Sequence, residues 1–138
     1  MNKDVLRINF VDFWPNFFKD DNYFFHLLSN DFKVVIDQEN PDLLFFSVDY
    51  AKKREHRYYD NSNTKKIFYT GENIVPNYEE CDASFSFLKN EDSKNYRLPL
   101  WSLFINWFDV PYNKKRDQSY LINKESLLEN KKNLKINN

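Results

Sequence analysis

The stretch LLFFSV, residues 43–48, decides the fold of this chain. It lacks the alternation of polar and apolar side chains that marks a half-exposed strand. Such runs are typical of strands that are buried on both faces of a parallel sheet. Asp49 follows this run. Because open parallel sheets bind ligands beyond the carboxyl ends of their strands, we expect function near Asp49 and near Trp14 and Gly71, which follow other strands.

Shorter apolar stretches on either side of this run complete the predicted sheet. Strands are expected over residues 5–10, 32–36, 66–69, 83–87 and 96–98. Aromatic and aliphatic residues near helical spacing predict a helix over 16–29, whereas 51–63 is expected to be a surface loop or weak helix and 100–108 an aromatic helix or irregular segment. Strands that alternate with helices or crossovers predict an α/β fold with a parallel sheet covered on both faces.

The composition limits what such a sheet can do. The 138 residues are enough for one domain. A net charge of −1 gives no basic footprint, so we expect neither nucleic acid nor an anionic membrane as a partner. The single cysteine, Cys81, excludes an internal disulfide and a cysteine zinc site and fits a reducing compartment. The single glycine, Gly71, excludes glycine-rich phosphate-binding loops.

The composition shifts after residue 112. Residues 113–138 hold seven Lys or Arg against three acidic residues, and their few aliphatic residues predict one short helix and a polar tail. We therefore expect a folded domain over 1–112 and a basic linker over 113–138.

The stretch IFYTGENIVPN, residues 67–77, carries the candidate chemistry. Gly71 directly follows a predicted strand, where glycine permits a positive φ or a close backbone approach, and Pro76 stiffens the exit of the loop. Glu72 is thereby displayed at the ligand-binding edge, and Asn73 could orient it or donate to a substrate hydroxyl. Spacing alone also allows an ordinary turn with a solvated glutamate.

Within this stretch, YTGEN followed two residues later by PN resembles the N-terminal domain of alpha-1,3-fucosyltransferases, glycosyltransferase family ten. The strand before the motif, the residues 82–87 after it, and the segments 96–100 and 119–121 agree with that pattern. The resemblance implies a Rossmann-like, parallel-sheet domain equivalent to the N-terminal half of a GT-B enzyme. In that reading the domain over 1–112 binds the acceptor, and 113–138 leads toward a donor domain.

The resemblance also implies a reaction. Fucose passes from GDP-fucose to the 3-hydroxyl of a GlcNAc or glucose unit with inversion, and Glu72 matches the family's general base. Trp14, Gly71 and Asn73 are the expected acceptor-binding residues. We expect no metal and no cofactor in this chain. The family's donor-binding motif has no counterpart in these 138 residues, so GDP-fucose would bind a second domain and the chain alone is expected to be inactive.

The same reading sets the remaining expectations about partners and location. The partner would be a lactosamine-like glycan, and the chain is expected to contain no transmembrane segment. We expect a cytoplasmic protein. Any peripheral contact with a membrane would be made through a region outside these residues.

Two other functions fit parts of the sequence. A receiver-type phosphoacceptor domain has an acidic residue after its first strand and a phosphorylated aspartate after its third, where Asp12 and Asp49 stand. The lysine that such a domain needs at its last strand is missing, since Arg97-Leu98-Pro99 occupies that place. A non-catalytic carbohydrate-binding module is the other alternative.

Several other residues receive structural interpretations. Trp14 fits either a sugar-stacking ring or a core aromatic equally well. Trp101 and Trp107 are expected in the core, and His26 and His56 are expected to be structural or solvated. Glu79 and Glu80 are weaker candidates for the base than Glu72.

Overall fold

A six-stranded parallel sheet forms the centre of the computed structural model, which describes residues 3–48, 52–60, 62–89, 93–108 and 121–127. Its strands are β1 (Val5–Val11), β2 (Lys33–Ile36), β3 (Leu43–Phe46), β4 (Lys65–Tyr69), β5 (Ala83–Ser86) and β6 (Asn95–Arg97), in the order β2-β1-β3-β4-β5-β6. All six predicted strands and their parallel pairing are confirmed. The strand order reverses direction between β1 and β3, where parallel sheets of this kind bind ligands. Asp49 lies outside the described residues.

Two aspartates tie neighbouring strands together at the amino end of the sheet. Asp42, just before β3, donates its N–H to the carbonyl of Arg7 and accepts the Arg7 N–H through Oδ2, each at 2.8 Å. Asp82, just before β5, makes the same pair of bonds with Lys66, also at 2.8 Å. These bonds extend the sheet by one rung at β1/β3 and β4/β5, and they help to fix the register of the strands.

Alternate residues of the strands fill two separate cores. On one face, Ile8, Phe10, Phe45 and Tyr69 pack with Phe24 of the helix α1 (Tyr23–Ser29). On the other face, Val11, Leu44, Phe46, Phe68 and Cys81 form a second core, against which Tyr59 and Tyr78 pack. The central strands are therefore buried on both faces, as the LLFFSV run predicts.

The predicted helix over 16–29 is too long. The α-helix is confined to Tyr23–Ser29, because Asn22 has extended backbone angles and its Oδ1 accepts the N–H of Phe25, which caps the helix at its first turn. The Asn22 amide also donates to the carbonyls of Phe18 and Lys19 at 2.9 and 3.0 Å, which closes the preceding turn. Phe17 thus packs against the core from a loop, and Phe18 lies in the same loop.

Short 3-10 helices form in the two segments, 51–63 and 100–108, for which the sequence allowed either a helix or an irregular path. The first 3-10 helix (Glu55–Tyr59) lies within the predicted surface loop, yet its His56 is buried. The second (Leu100–Phe104) leads into β7 (Ile105–Asn106), which pairs with β8 (Ile122–Asn123). Part of the segment predicted as a linker thus pairs with the end of the domain. The rest of 113–138 outside 121–127 is not described.

The expectation that both late tryptophans lie in the core is wrong. Trp101 is 61% exposed and Trp107 is 40% exposed, since a 3-10 helix followed by a strand cannot bury every side chain of so aromatic a segment. Among the helices in the described ranges, none is long and apolar enough to cross a bilayer.

Candidate functional site

A cavity of about 240 Å³ opens at the carboxyl ends of β1, β3 and β4, on the face covered by α1. We call it the α1 cavity. Glu72, Thr70, Ser47, Asp21 and Asn22 contribute polar groups to its wall. The rest is largely aromatic and aliphatic, with Trp14, Phe17, Phe18, Phe24, Tyr69, Leu100, Leu103 and Phe104 among the lining residues. An apolar recess with a few polar groups at a strand-order reversal is the usual form of a small-molecule site in this fold.

The loop after β4 presents Glu72 to this cavity. Thr70 is buried, its N–H donates to the carbonyl of Phe85 at 3.0 Å, and its Oγ1 accepts the N–H of Glu72 at 2.9 Å. The backbone of Glu72 is therefore fixed by the sheet, while its side chain is exposed. A carboxylate displayed at the rim of a recess is suited to accept a proton from a bound hydroxyl group.

Gly71 lines the same cavity, but its backbone does not adopt the conformation that the sequence allowed. Its φ is not positive, so the left-handed turn that the sequence allowed does not form. A Cβ atom at Gly71 would lie 3.0 Å from Cδ1 of Leu100 and 3.5 Å from the hydroxyl of Tyr69. The close approach comes from a leucine side chain of the second 3-10 helix, and it brings that helix against the loop that carries Glu72.

The other two predicted acceptor-binding residues are placed differently. Trp14 is half-buried, lines the α1 cavity, and packs edge-on against Phe13 and Phe17, so it combines the two roles that the sequence left open. Asn73 is exposed and lines neither of the two cavities described here.

The rival bases do not share the cavity with Glu72. Glu79 is exposed, and Glu80 forms an ion pair with Arg57. The hydrogen bond from Arg57 lowers the pKa of Glu80, which keeps this carboxylate charged and engaged elsewhere.

A buried Asp–His pair on the opposite face was missed by the sequence reading. Asp12 accepts the N–H groups of Glu55 and His56 at 2.9 and 3.0 Å, and its Oδ2 lies 2.6 Å from His56 Nδ1. Asp12 has a φ of 59°, and the His56 ring stacks on Phe46. No local motif marks this pair, because the two residues are 44 positions apart.

A second cavity, of about 490 Å³, lies beside this pair, and we call it the His56 cavity. It shares Ser47 and Val48 with the α1 cavity, so the two recesses flank the loop after β3. Within the described ranges, no group of three or more His, Cys, Asp or Glu residues is arranged to hold a metal ion.

The single cysteine of the sequence lies in an environment that makes its thiol unreactive. Cys81 is buried, its Sγ lies 3.3 Å from the carbonyl of Asn77, and burial raises the pKa of its thiol to about 11. Such a thiol is a poor nucleophile at neutral pH.

Comparison with known proteins identifies the family. The model of the alpha-(1,3)-fucosyltransferase FucT N-terminal domain matches residues 8–104, which is more than half of the chain. The chain belongs to this family. None of the curated protein sequences compared with it matches significantly.

Three crystal structures of alpha1,3-fucosyltransferase resemble this fold. One with GDP is 23% identical with a TM-score of 0.54, and the match covers 74% of this chain and 28% of that one. A second is 22% identical with a TM-score of 0.59, over 74% and 30%. One with GDP-fucose is 22% identical with a TM-score of 0.53, over 87% and 36%. This chain therefore spans about a third of the length of those proteins.

These matches confirm the predicted fold, a Rossmann-like parallel sheet equivalent to the N-terminal half of a GT-B glycosyltransferase. They also place the chain among fucosyltransferase N-terminal domains. Membership of this family argues against the receiver-type alternative. The contact of Asp12 with His56 also argues against it, because the carboxylate that a receiver would use is already engaged.

Proposed function

We propose that this chain is the acceptor-binding half of an inverting fucosyltransferase. It would present the 3-hydroxyl of a GlcNAc or glucose unit of a glycan to GDP-fucose that is held by a second domain. The observation that carries the proposal is the position of Glu72 at the rim of the α1 cavity.

The cavity suits a sugar in two respects. A pyranose ring has apolar C–H faces, which pack on aromatic and aliphatic side chains such as Trp14, Leu100 and Phe104. Its hydroxyl groups need hydrogen-bonding partners, which Glu72 and Ser47 can supply from the same wall.

Glu72 has a defined role in the proposed reaction. The acceptor oxygen forms a bond to C1 of fucose while the bond from C1 to the GDP oxygen breaks. The acceptor hydroxyl becomes acidic as the new bond forms, and its proton passes to the Glu72 carboxylate. A single displacement inverts the configuration at C1, which requires the acceptor and the donor to approach from opposite sides.

The test uses a polypeptide in which this domain is joined to a donor domain, supplied with GDP-fucose and N-acetyllactosamine. We expect fucose on the 3-hydroxyl of GlcNAc, with the anomeric configuration inverted relative to GDP-fucose, as read by NMR of the product. A product with retained configuration would contradict the mechanism. Glycan binding without any transfer would favour the carbohydrate-binding module.

A further inference from the structure

We propose that Asp21 determines which class of sugar the α1 cavity accepts: it binds a hydroxyl group of a neutral sugar and excludes sugars that carry a negative charge. This inference rests on the proposed function, because it names the class of acceptor at the same site. It concerns a residue that lies far from the motif around Glu72 in the sequence.

Asp21 is a buried carboxylate in a mostly apolar wall. It is 7% exposed, and it lines the cavity together with the rings of Phe17, Phe18 and Phe24. Burying a charge in such surroundings is costly unless hydrogen bonds replace those to water. One such bond comes from His26, whose Nε2 lies 3.0 Å from Oδ1 of Asp21. A carboxylate can accept several hydrogen bonds at once, so this contact is compatible with another from a ligand.

Capping of α1 does not explain the carboxylate of Asp21. The next residue, Asn22, caps the helix through its Oδ1, and its amide group donates to two carbonyls of the preceding turn. The helix therefore begins without help from the Asp21 side chain. His26 is in turn held by Phe108, whose ring centroid lies 5.9 Å from that of the imidazole. The pair of Asp21 and His26 thus keeps a charged group at the cavity that the start of the helix does not require.

The charged residues of the cavity wall are all acidic. Asp21 and Glu72 line the cavity, and none of the described residues that line it is Lys, Arg or His. A phosphate or carboxylate group would therefore enter without a cation to pair with it, and it would be repelled more strongly than in water. A hydroxyl group can donate to a carboxylate and form a charge-assisted hydrogen bond. The wall thus favours a neutral sugar with several hydroxyl groups over an anionic one.

The two carboxylates reach the cavity from different segments of the chain. Glu72 follows β4, whereas Asp21 lies in the loop before α1. A sugar whose 3-hydroxyl lies at Glu72 presents its other hydroxyl groups to the rest of the wall. Glu72 thus takes the reacting hydroxyl, and Asp21 takes a second one. Loss of the Asp21 charge should therefore change affinity and selectivity, because Asp21 has no part in the proton transfer.

The experiment is an NMR titration of the ¹⁵N-labelled 138-residue chain with GlcNAc and, separately, with GlcNAc 6-phosphate. GlcNAc should shift the amides of residues 20–22 and 70–72, and GlcNAc 6-phosphate should bind about tenfold more weakly. Asp21→Asn removes the charge and keeps the shape. It should weaken GlcNAc binding about tenfold, the effect of one hydrogen bond to a charged group. It should also reduce the discrimination against the phosphate to about threefold.

Asp20→Asn is the matched control, because Asp20 is adjacent, exposed and not among the residues that line the cavity. It should change neither the affinity nor the discrimination. The comparison of the two sugars on the unsubstituted chain needs no variant, and equal affinities there would overturn the proposal. If GlcNAc shifts residues 70–72 and Asp21→Asn behaves like Asp20→Asn, the role of Asp21 is wrong and the proposed function stands. If neither sugar shifts residues 70–72, the proposed function itself fails.

Discussion

Oδ2 of Asp12 lies 2.6 Å from Nδ1 of His56, and this contact joins the end of the first strand to a 3-10 helix 44 residues later. Asp12 also caps that helix through the N–H groups of Glu55 and His56. The helix is thus docked by three bonds to a single carboxylate. Its position defines the wall of the His56 cavity, so one aspartate after β1 organises the second face of the sheet.

We predict that Asp12→Asn lowers the free energy of unfolding by about 1–3 kcal/mol, because an amide has one acceptor oxygen where the carboxylate uses two. Asparagine tolerates the positive φ of position 12, so backbone strain does not account for the loss. Urea denaturation measures the change, and Asp31→Asn, at an exposed aspartate, is the control. Equal stability of the two variants would show that the Asp12 bonds contribute nothing net.

We predict that Gly71→Ala is tolerated with a loss of less than about 1 kcal/mol. Its φ is ordinary, and the atom that a new Cβ would meet is the end of a flexible leucine side chain, Cδ1 of Leu100. In a double-mutant cycle, Leu100→Ala should relieve the contact, with a coupling of about 0.5–1 kcal/mol. Additive losses would mean that Leu100 does not restrict position 71.

Stability should fall in acid partly through Asp82. The Lys66 N–H lowers the pKa of this carboxyl, and the ammonium of Lys65 adds to the effect. Because the pKa is lower in the folded state than in the unfolded state, the stabilisation is complete above the unfolded pKa and is lost as the pH falls through the folded one. Asp82→Asn should therefore flatten the decline of unfolding free energy below about pH 4. A variant with the wild-type slope would contradict this assignment.

The sheet could be predicted because a strand buried on both faces requires a continuous apolar run in the sequence, such as LLFFSV at residues 43–48. The motif around Glu72 could also be recognised, because it lies within one short stretch of the sequence. The structure brings Trp14, Gly71 and Glu72 to one cavity. The pairing of Asp12 with His56 could not be predicted, since it depends on how a charged loop folds back onto the sheet. The prediction of a helix over 16–29 was wrong for a similar reason. The helical spacing of the phenylalanines did not show that Asn22 would cap the helix, so that it begins only at Tyr23.

In an enzyme that contains this domain, Glu72→Gln should lower kcat by about 10²- to 10⁴-fold, because it removes the proton acceptor and keeps the shape. The KM for the acceptor should change little. Steady-state kinetics with GDP-fucose measure both values, and Glu79→Gln is the control. Unchanged turnover in Glu72→Gln would remove Glu72 from the role of base.

The proposed function assigns the acceptor to this chain and GDP-fucose to a second domain. Calorimetry of the 138-residue chain tests this assignment most directly. One titration uses N-acetyllactosamine and the other uses GDP-fucose. We predict weak acceptor binding, with a Kd of about 1 mM, because the proposed function assigns half of the cleft to another domain. We predict no tight binding of GDP-fucose. A diphosphate needs clustered backbone donors or cations at a helix N-terminus, and a sequence with a single glycine excludes the glycine-rich loop that would supply the backbone donors. Micromolar binding of GDP-fucose together with no heat from lactosamine would contradict the account.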